Sequence, residues 1–451
     1  MTRQNHLMRV LGLTFGLAAV VGSVVGQGIL RSPGIVADAS GSEAVLISLW
    51  VSGAVVALIS ALPYAELGAA MPNAGGPVLW VQRGFGRAAG VATAMSMLVL
   101  YVSSTALLCF VVGEFLVRLG VGGSTLGAGG LGFAVLVLFN LVNAAGTRAG
   151  GAAQVALSSA KGAVLLGLVV VLFAQPGASA AAAPAAVGGW MAFGTAILVI
   201  IGTYNGWADL VMYGEEIENP GRSFPRAMFG GIIGVAALYL LVNLALLHVM
   251  TPVEMAGSDF AAADAAGGVF GARGDLVFTA FGALSVGAIA NLGVMTTCRL
   301  VFAMARSGML PHGLTRVSRL GTPIPAMLVS SAFAAAFLVS GSYLTLSATS
   351  VSLSQAMLAI TAAAALALRV RSPEMLRPYR APLQPWSLWV ALALNLALLA
   401  VFIVQDPFNA LLGFALVTLL AAGALVAGKV TDPEAAPTSI IAGANAWQSP
   451  D

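Results

Sequence analysis

The sequence predicts an all-α integral membrane protein of twelve transmembrane helices, and three observations carry that prediction. Of 451 residues, 59% are hydrophobic and only 8% are Asp, Glu, Lys or Arg, whereas an ordinary soluble domain carries roughly a quarter charged residues. Ten runs free of those four residue types are long enough to span a bilayer, whose roughly 30 Å of hydrocarbon takes about 20 apolar residues in a helix. The basic residues, finally, crowd onto alternate connections between the runs. The 37 charges (20 basic and 17 acidic) cannot furnish a water-facing surface for a chain this size. That excludes a soluble enzyme, a nucleic-acid binder and a disordered protein. Its 54 Gly and 20 Pro suit helices in lipid, which tolerate both.

The runs are 10–30, 44–65, 88–113, 119–147, 162–208, 227–253, 276–298, 320–368, 381–405 and 407–428. Two are too long for one span. Gln175-Pro176-Gly177 and an Ala/Pro stretch divide 162–208, and Ser340-Gly341-Ser342 divides 320–368, which makes twelve spans. The first run lacks a convincing signal-peptide cleavage site and is kept as a span. With the N-terminus inside, fifteen basic residues from Arg3 to Lys429 fall on the cytoplasmic side and only Arg31, Arg118 and Arg273 outside. The positive-inside bias therefore puts both termini in the cytoplasm. Lys161 and Arg299 are embedded in or near spans and are not counted. Residues 1–430 form a single transmembrane domain, and the polar Ala/Pro/Ser-rich tail 431–451 is expected to be disordered. Cys109 and Cys298 lie in apolar surroundings, so no disulfide framework is implied.

Two spans are interrupted near their centres. The first, Leu11 to Val36, contains GSVVGQGIL at 22–30. Gly lowers helix stability by roughly 1 kcal/mol relative to Ala. Alone, Gly22 and Gly26 are equally consistent with close helix packing of the small-xxx-small kind. The sixth span, Trp190 to Ile217, contains IIGTYNGWADL at 200–210, where Gly202, Asn205 and Gly206 fall together at mid-span. Interrupted spans at corresponding places in two halves point to an inverted-repeat transporter and to its binding site. Breaks at membrane depth free backbone groups that lipid cannot satisfy. The outer half of the first span begins near Gly26-Gln27-Gly28, and its N–H groups and positive dipole end suit a carboxylate. Carbonyls at the end of the inner half, near Val21 to Val24, and in the second break, Ile201 to Asn205, suit an ammonium. A zwitterionic α-amino acid presents both charges on adjacent atoms.

The segment YNGWADLVMYGEEIENPGRSFPRAM (204–228) resembles the sixth helix and its exit in the amino acid–polyamine–organocation superfamily, with the closest likeness to L-type amino acid transporter light chains and their bacterial relatives. GSVVGQGILRSPG (22–34), PYAELGAAMPNAGGPVLWVQRGFG (63–86), RLVFAMARSGMLP (299–311) and RPYRAPLQP (377–385) match in the same order, so the resemblance covers most of the chain. It implies a leucine-transporter-like fold, with five-plus-five inverted repeats over 10–174 and 190–370, discontinuous first and sixth helices, and helices eleven and twelve over 386–428. It also implies alternating access, with substrate held between helices one, six, three and eight. Carried over, the backbone of Gly26, Gln27 and Gly28 takes the carboxylate. Carbonyls near Val21, Ser23, Ile201 and Tyr204 take the amine, and Gly202, Asn205 and Trp207 shape the side-chain pocket or its gate. The chain departs from the family's usual Ser or Thr at Gln27, whose longer side chain reaches into the site or hydrogen-bonds elsewhere. Residues 119–131 contain no cysteine, so no disulfide-linked heavy subunit is expected.

Lys161 lies in the inner part of helix five. An ionisable group inside the bilayer marks function by default, although a lysine snorkelling to the cytoplasmic boundary is the plain alternative. The resemblance implies that its ammonium fills the place of a sodium ion between helices one and eight, making transport sodium-independent, and it is a candidate carrier of a coupled proton. Asp209 is either a solvated helix-end acid or a group facing the inner pathway that selects a positive substrate group. Glu215, Glu216 and Glu218 beside Arg222 and Arg226, and likewise Glu66, read as solvated charges or as an inner gate. Glu114 reads as interfacial. Tyr101 and Asn291 line the pocket or bond between helices. His248 reads as interfacial, and neither a metal cluster nor a cofactor is expected. The glycines at 22–28 have no βαβ unit around them, so they are not a nucleotide fingerprint.

The expectation is a secondary carrier for amino acids, neutral ones foremost, working as an exchanger or by proton coupling in the bacterial inner (cell) membrane. An amine or polyamine carrier, or a non-transporting amino acid receptor on the same scaffold, are the alternatives.

Overall fold

Glycine, proline and small polar residues divide the apolar sequence into helices. The computed structural model describes residues 12–426 apart from 73–75, 123–125, 145–149, 178–188, 215–216, 307, 319–321 and 341; of 27, 150–160, 272 and 340 it describes the backbone only. The expected tail 431–451 and the acids Glu215 and Glu216 lie outside the described residues. The helices run α1 (Leu13–Val24), α2 (Gln27–Ser40), α3 (Glu43–Ala70), α4 (Gly76–Phe85), α5 (Arg87–Arg118), α6 (Ala128–Ala144), α7 (Gly150–Phe173) and α8 (Trp190–Tyr204). A 3₁₀ segment, Trp207–Tyr213, follows α8. The chain continues with α9 (Pro220–Val249), α10 (Pro252–Ala256), α11 (Ala261–Phe270), α12 (Ala272–Arg306), α13 (Ile324–Ser340), α14 (Tyr343–Arg371), α15 (Trp386–Gln405) and α16 (Pro407–Val426).

Among the described residues, eight helices are long and apolar enough to cross a membrane, or nine if the bent pair α1–α2 is one span. Three more apolar helices, Ala128–Ala144, Lys161–Phe173 and Ile324–Val339, are shorter. The chain is a multi-pass integral membrane protein. Both expected divisions of the overlong runs fall at helix ends. α7 stops at Phe173, just before Gln175-Pro176-Gly177. α14 restarts after Ser342, whose hydroxyl accepts from the Thr345 N–H, satisfying a donor that the first helical turn leaves unpaired.

The layering follows from burial. α5 is the most enclosed of these helices together with α14 (67% of the best window buried for each), against 22% for α15 and 28% for α16, so the last two spans are peripheral. α5 packs against α4, α6, α12, α13, α14 and α16. α3 pairs with α9. The two interrupted spans are enclosed: α1 lies on α9 and on the 3₁₀ segment, and α2 lies along α8. Close packing uses glycine between α1 and α9. A Cβ on Gly16 would come 2.7 Å from Ala227 Cβ, and one on Gly231 would come 2.4 Å from Val20 Cγ1, so side chains of each helix pack onto bare backbone of the other and α1 and α9 approach closely. Buried amides lock further spans together. Asn143 Nδ2 donates to Asn291 Oδ1 at 2.8 Å, which is helix–helix bonding for Asn291. Ser60 donates to Asn395 Oδ1 at 3.0 Å.

Glu66 is fully buried at the end of α3. Arg369 donates to both of its oxygens at 2.7 and 2.6 Å, Arg377 Nε lies 3.6 Å away, and the Ala381 N–H donates at 2.9 Å. The solvated reading of Glu66 is thereby corrected: the carboxylate fastens the 377–385 loop to α3 and α14. Stripping one partner from a buried ion pair costs about 3–5 kcal/mol, because the other charge is left uncompensated. Glu66→Ala should therefore lower the detergent-solubilised protein's Tm measurably; a Tm unchanged within error would contradict this role.

Candidate functional site

The first break follows from GSVVGQG. α1 ends at Val24; Val25 turns to φ −71°, ψ 94°, and Gly26 to φ −149°, ψ −137°. α2 then starts at Gln27, with no side chain capping its first turn. The axes of the two halves differ by 49°. The first N–H groups of α2 thus have no intrahelical partner and stand at the positive end of the helix dipole. Gly26 is buried, with Ile289 Cδ1 2.6 Å from where a Cβ would sit, which places α12 beside the break. The side chain of Gln27 lies outside the described ones.

The second break is at Asn205-Gly206. α8 stops at Tyr204, Asn205 is extended, and Gly206 takes φ 117°, ψ −27° before the 3₁₀ turn begins. This is the left-handed side of backbone space, open to Gly and closed to most side chains. The two breaks touch. A Cβ on Gly206 would sit 2.8 Å from Ser23 O and 3.1 Å from Val24 N. On the α2 side, Gly28 lies so close to Thr203 that a Cβ would fall 2.4 Å from Cγ2, and Ser32 Oγ lies 2.9 Å from Thr203 Oγ1.

The carbonyls divide into two sets. Val21 O accepts from Val25 N at 2.8 Å, and Ile201 O and Gly202 O accept from Asn205 N at 3.1 and 3.3 Å. Further along each stretch of backbone, three residues past Val21 and one past Gly202, Val24 O and Thr203 O both accept from the Tyr239 hydroxyl, at 2.8 and 3.3 Å. One buried phenol on α9 therefore meets the carbonyl ends of both breaks. Sequence reasoning missed Tyr239; the signal was present as a Tyr–Asn pair, Tyr239 and Asn243, four apart in an otherwise apolar span. Around it Trp50, Tyr204 and Tyr239 pack with ring centroids 5.3 to 6.2 Å apart, and Tyr204 Oη donates to Trp50 O at 3.1 Å. Trp207 is buried edge-on against Tyr64, 5.3 Å between centroids. Of the anticipated set, Val21, Ser23, Gly26, Gly28, Ile201, Gly202, Tyr204, Asn205 and Trp207 all lie at or beside the paired breaks. Two apolar clefts of about 380 and 570 Å³ lie elsewhere, against α7, α11 and α12 and on the outer face of α3.

Lys161 sits on α7, which packs on α1 and touches α12. It is 2% exposed, and its Nζ has no hydrogen-bond partner among the described residues. A snorkelling lysine would keep its ammonium in water, so that reading is corrected. Tyr101 on α5 donates to Asp209 Oδ1 at 2.8 Å. Glu218, Arg222 and Arg226 are exposed, as solvated charges are. His248 Nε2 lies 2.9 Å from Gln175 O, and the described residues hold no metal-binding cluster.

Sequence reasoning also missed how one end of the bundle is held together. Arg31, on α2, pairs with Glu114 of α5 at 3.3 Å and with Asp259 at 2.9 Å. Its guanidinium also lies over the rings of Phe260 and Tyr343, 5.5 and 5.0 Å from their centroids. Arg118 pairs with Asp264 and, at 2.7 Å, with Asp275. Glu114, near the end of α5, is thus an interhelical ion-pair partner.

A multi-pass helical membrane protein with two adjoining mid-span breaks has the architecture of a transporter rather than an enzyme. A family model described as "Amino acid permease" matches residues 11–426, and the chain belongs to that family. It is similar to the serine/threonine exchanger SteT of Bacillus subtilis (strain 168), 27% identical over 413 residues, 90% of this chain and 94% of that one. It is also similar to Asc-type amino acid transporter 1 of Mus musculus, 29% identical over 387 residues (83% and 73% of the two chains). To b(0,+)-type amino acid transporter 1 of Homo sapiens it is 27% identical over 422 residues (90% and 84%). The likeness to L-type light chains and their bacterial relatives inferred from motifs is borne out.

Proposed function

We propose that the chain is a secondary active carrier moving α-amino acids, neutral ones foremost, by alternating access, independently of sodium, as an exchanger or with protons. The observation that supports this most is the meeting of the uncapped α2 N-terminus with the carbonyl ends of α1 and α8. The substrate carboxylate would take the N–H groups of Gln27, Gly28 and the following residues, as anions do at helix N-termini. The ammonium would take the carbonyls from Val21 to Val24 and from Ile201 to Tyr204, displacing or sharing the Tyr239 hydroxyl. Asn205, Gly202 and Trp207 would border the side chain. The names of the relatives, a serine/threonine exchanger and amino acid transporters, support the substrate class and exchange.

In this reading the nine spans and three shorter apolar helices make twelve, with repeats over 10–174 and 190–370, and both termini are cytoplasmic, as in an inner (cell) membrane protein. The Arg31 network then closes the outer side. Lys161, buried on α7 without a partner among the described residues, would supply the cation that makes sodium unnecessary and is the candidate proton carrier. With no cysteine in 119–131, the carrier works without a disulfide-linked subunit.

Purified protein in proteoliposomes should take up radiolabelled amino acids saturably. Zwitterionic competitors should inhibit, and their carboxamides and des-amino analogues should not. Absence of saturable flux for every amino acid and amine in the panel would overturn the proposal.

A further inference from the structure

The substrate site just described leaves one half-buried ionisable group beside it unused. Asp209 lies three residues past Gly206 in the 3₁₀ segment, about 6 Å along the axis at roughly 2.0 Å rise per residue. Its carboxylate accepts from Tyr101 on α5, and among the described residues no Lys, Arg or His pairs with it. Tyr101 and Asp209 both keep some accessible surface, unlike Trp207 and Tyr64, which are buried beside them. An ionisable acid at this depth is expensive and calls for a cationic partner. Lys161 does not serve, because its Nζ is itself unpartnered.

Where that partner would come from follows from the position. The breaks hold the α-carboxylate and α-ammonium of an amino acid, so the side chain extends away from them. The 3₁₀ segment continues directly from the second break, and Asp209 stands within the reach of an aminoalkyl side chain such as that of lysine or ornithine. The surroundings suit an ammonium: one carboxylate oxygen is oriented by a phenol, and the rings of Tyr64, Tyr101 and Trp207 stand nearby. Aromatic faces attract cations, the more so away from water, and hydrogen bonds to charged groups are the strong ones.

We propose that Asp209, positioned by Tyr101, is a side-chain subsite that recognises a second ammonium group, extending the substrate range from neutral to dibasic amino acids. This rests on the carrier reading, and the two fail differently. The test is uptake of whichever labelled neutral amino acid proves saturable, inhibited either by lysine or by norleucine, which has the same chain length without the ammonium. In the wild type, lysine should inhibit within tenfold of norleucine. In Asp209→Asn the ratio of lysine to norleucine IC50 should rise at least fivefold, and Asp209→Glu, which keeps the charge, should show a smaller rise. Wild-type uptake that norleucine inhibits and lysine does not, or a rise below fivefold in Asp209→Asn, overturns the subsite and leaves the carrier standing. No saturable uptake of any amino acid overturns the carrier itself. If Asp209→Asn is not recovered folded, the wild-type lysine inhibition decides alone.

Discussion

Gly206→Ala should cut amino acid uptake at least tenfold. At φ 117° an L-residue sits in a sparsely populated region, a cost of about 1–3 kcal/mol, and the new methyl would press on Ser23 O at 2.8 Å and Val24 N at 3.1 Å. Both atoms are main chain, so neither can turn aside as a flexible side chain would. The substitution pries apart the two breaks while leaving the apolar packing of α3, α5 and α9 untouched. The matched control is Gly234→Ala on α9, where a Cβ meets nothing within 4 Å and the helix itself gains propensity. Uptake by that variant should stay within twofold of wild type. Gly206→Ala transporting at the wild-type rate would show that the contact between the breaks is incidental.

Lys161→Met should abolish uptake while leaving the protein as stable as wild type or more so. The two effects part company for a physical reason. A charge within a span costs up to about 2.5–3.5 kcal/mol on insertion scales, and Lys161 has no partner among the described residues to offset that. A methionine of similar length removes the penalty and keeps the buried volume filled. A lysine retained for stability would give the opposite pattern, a lower Tm with transport preserved. Uptake by Lys161→Met with an unaltered rate and pH profile would remove Lys161 from the coupling scheme.

The sequence makes the breaks legible because they are local. Gly26, Asn205 and Gly206 are poor helix formers grouped near mid-span, and the structure puts the interruptions at Val25-Gly26 and Asn205-Gly206. The helix ends at Phe173 and Ser340 were legible for the same reason, through Pro, Gly and Ser. What joins distant residues was not. Tyr239 reaching Val24 O and Thr203 O, Arg31 reaching Glu114, and Glu66 held by Arg369 all depend on how helices far apart in the chain pack together. Charge alone therefore left Glu66 as solvated or an inner gate and Glu114 as interfacial, without naming the arginines that hold them. Tyr101 and Asp209 were each visible as odd polar residues in an apolar span, but nothing in their spacing joined one to the other.

The central claim is that the main chain of two broken spans cradles the substrate. The most direct test is a structure of the protein with a saturating transported amino acid. The account predicts its carboxylate at the N–H groups of Gln27 and Gly28 and its ammonium among the carbonyls near Val24 and Thr203. A transported amino acid seated elsewhere, with the α2 N-terminus unengaged, would contradict it.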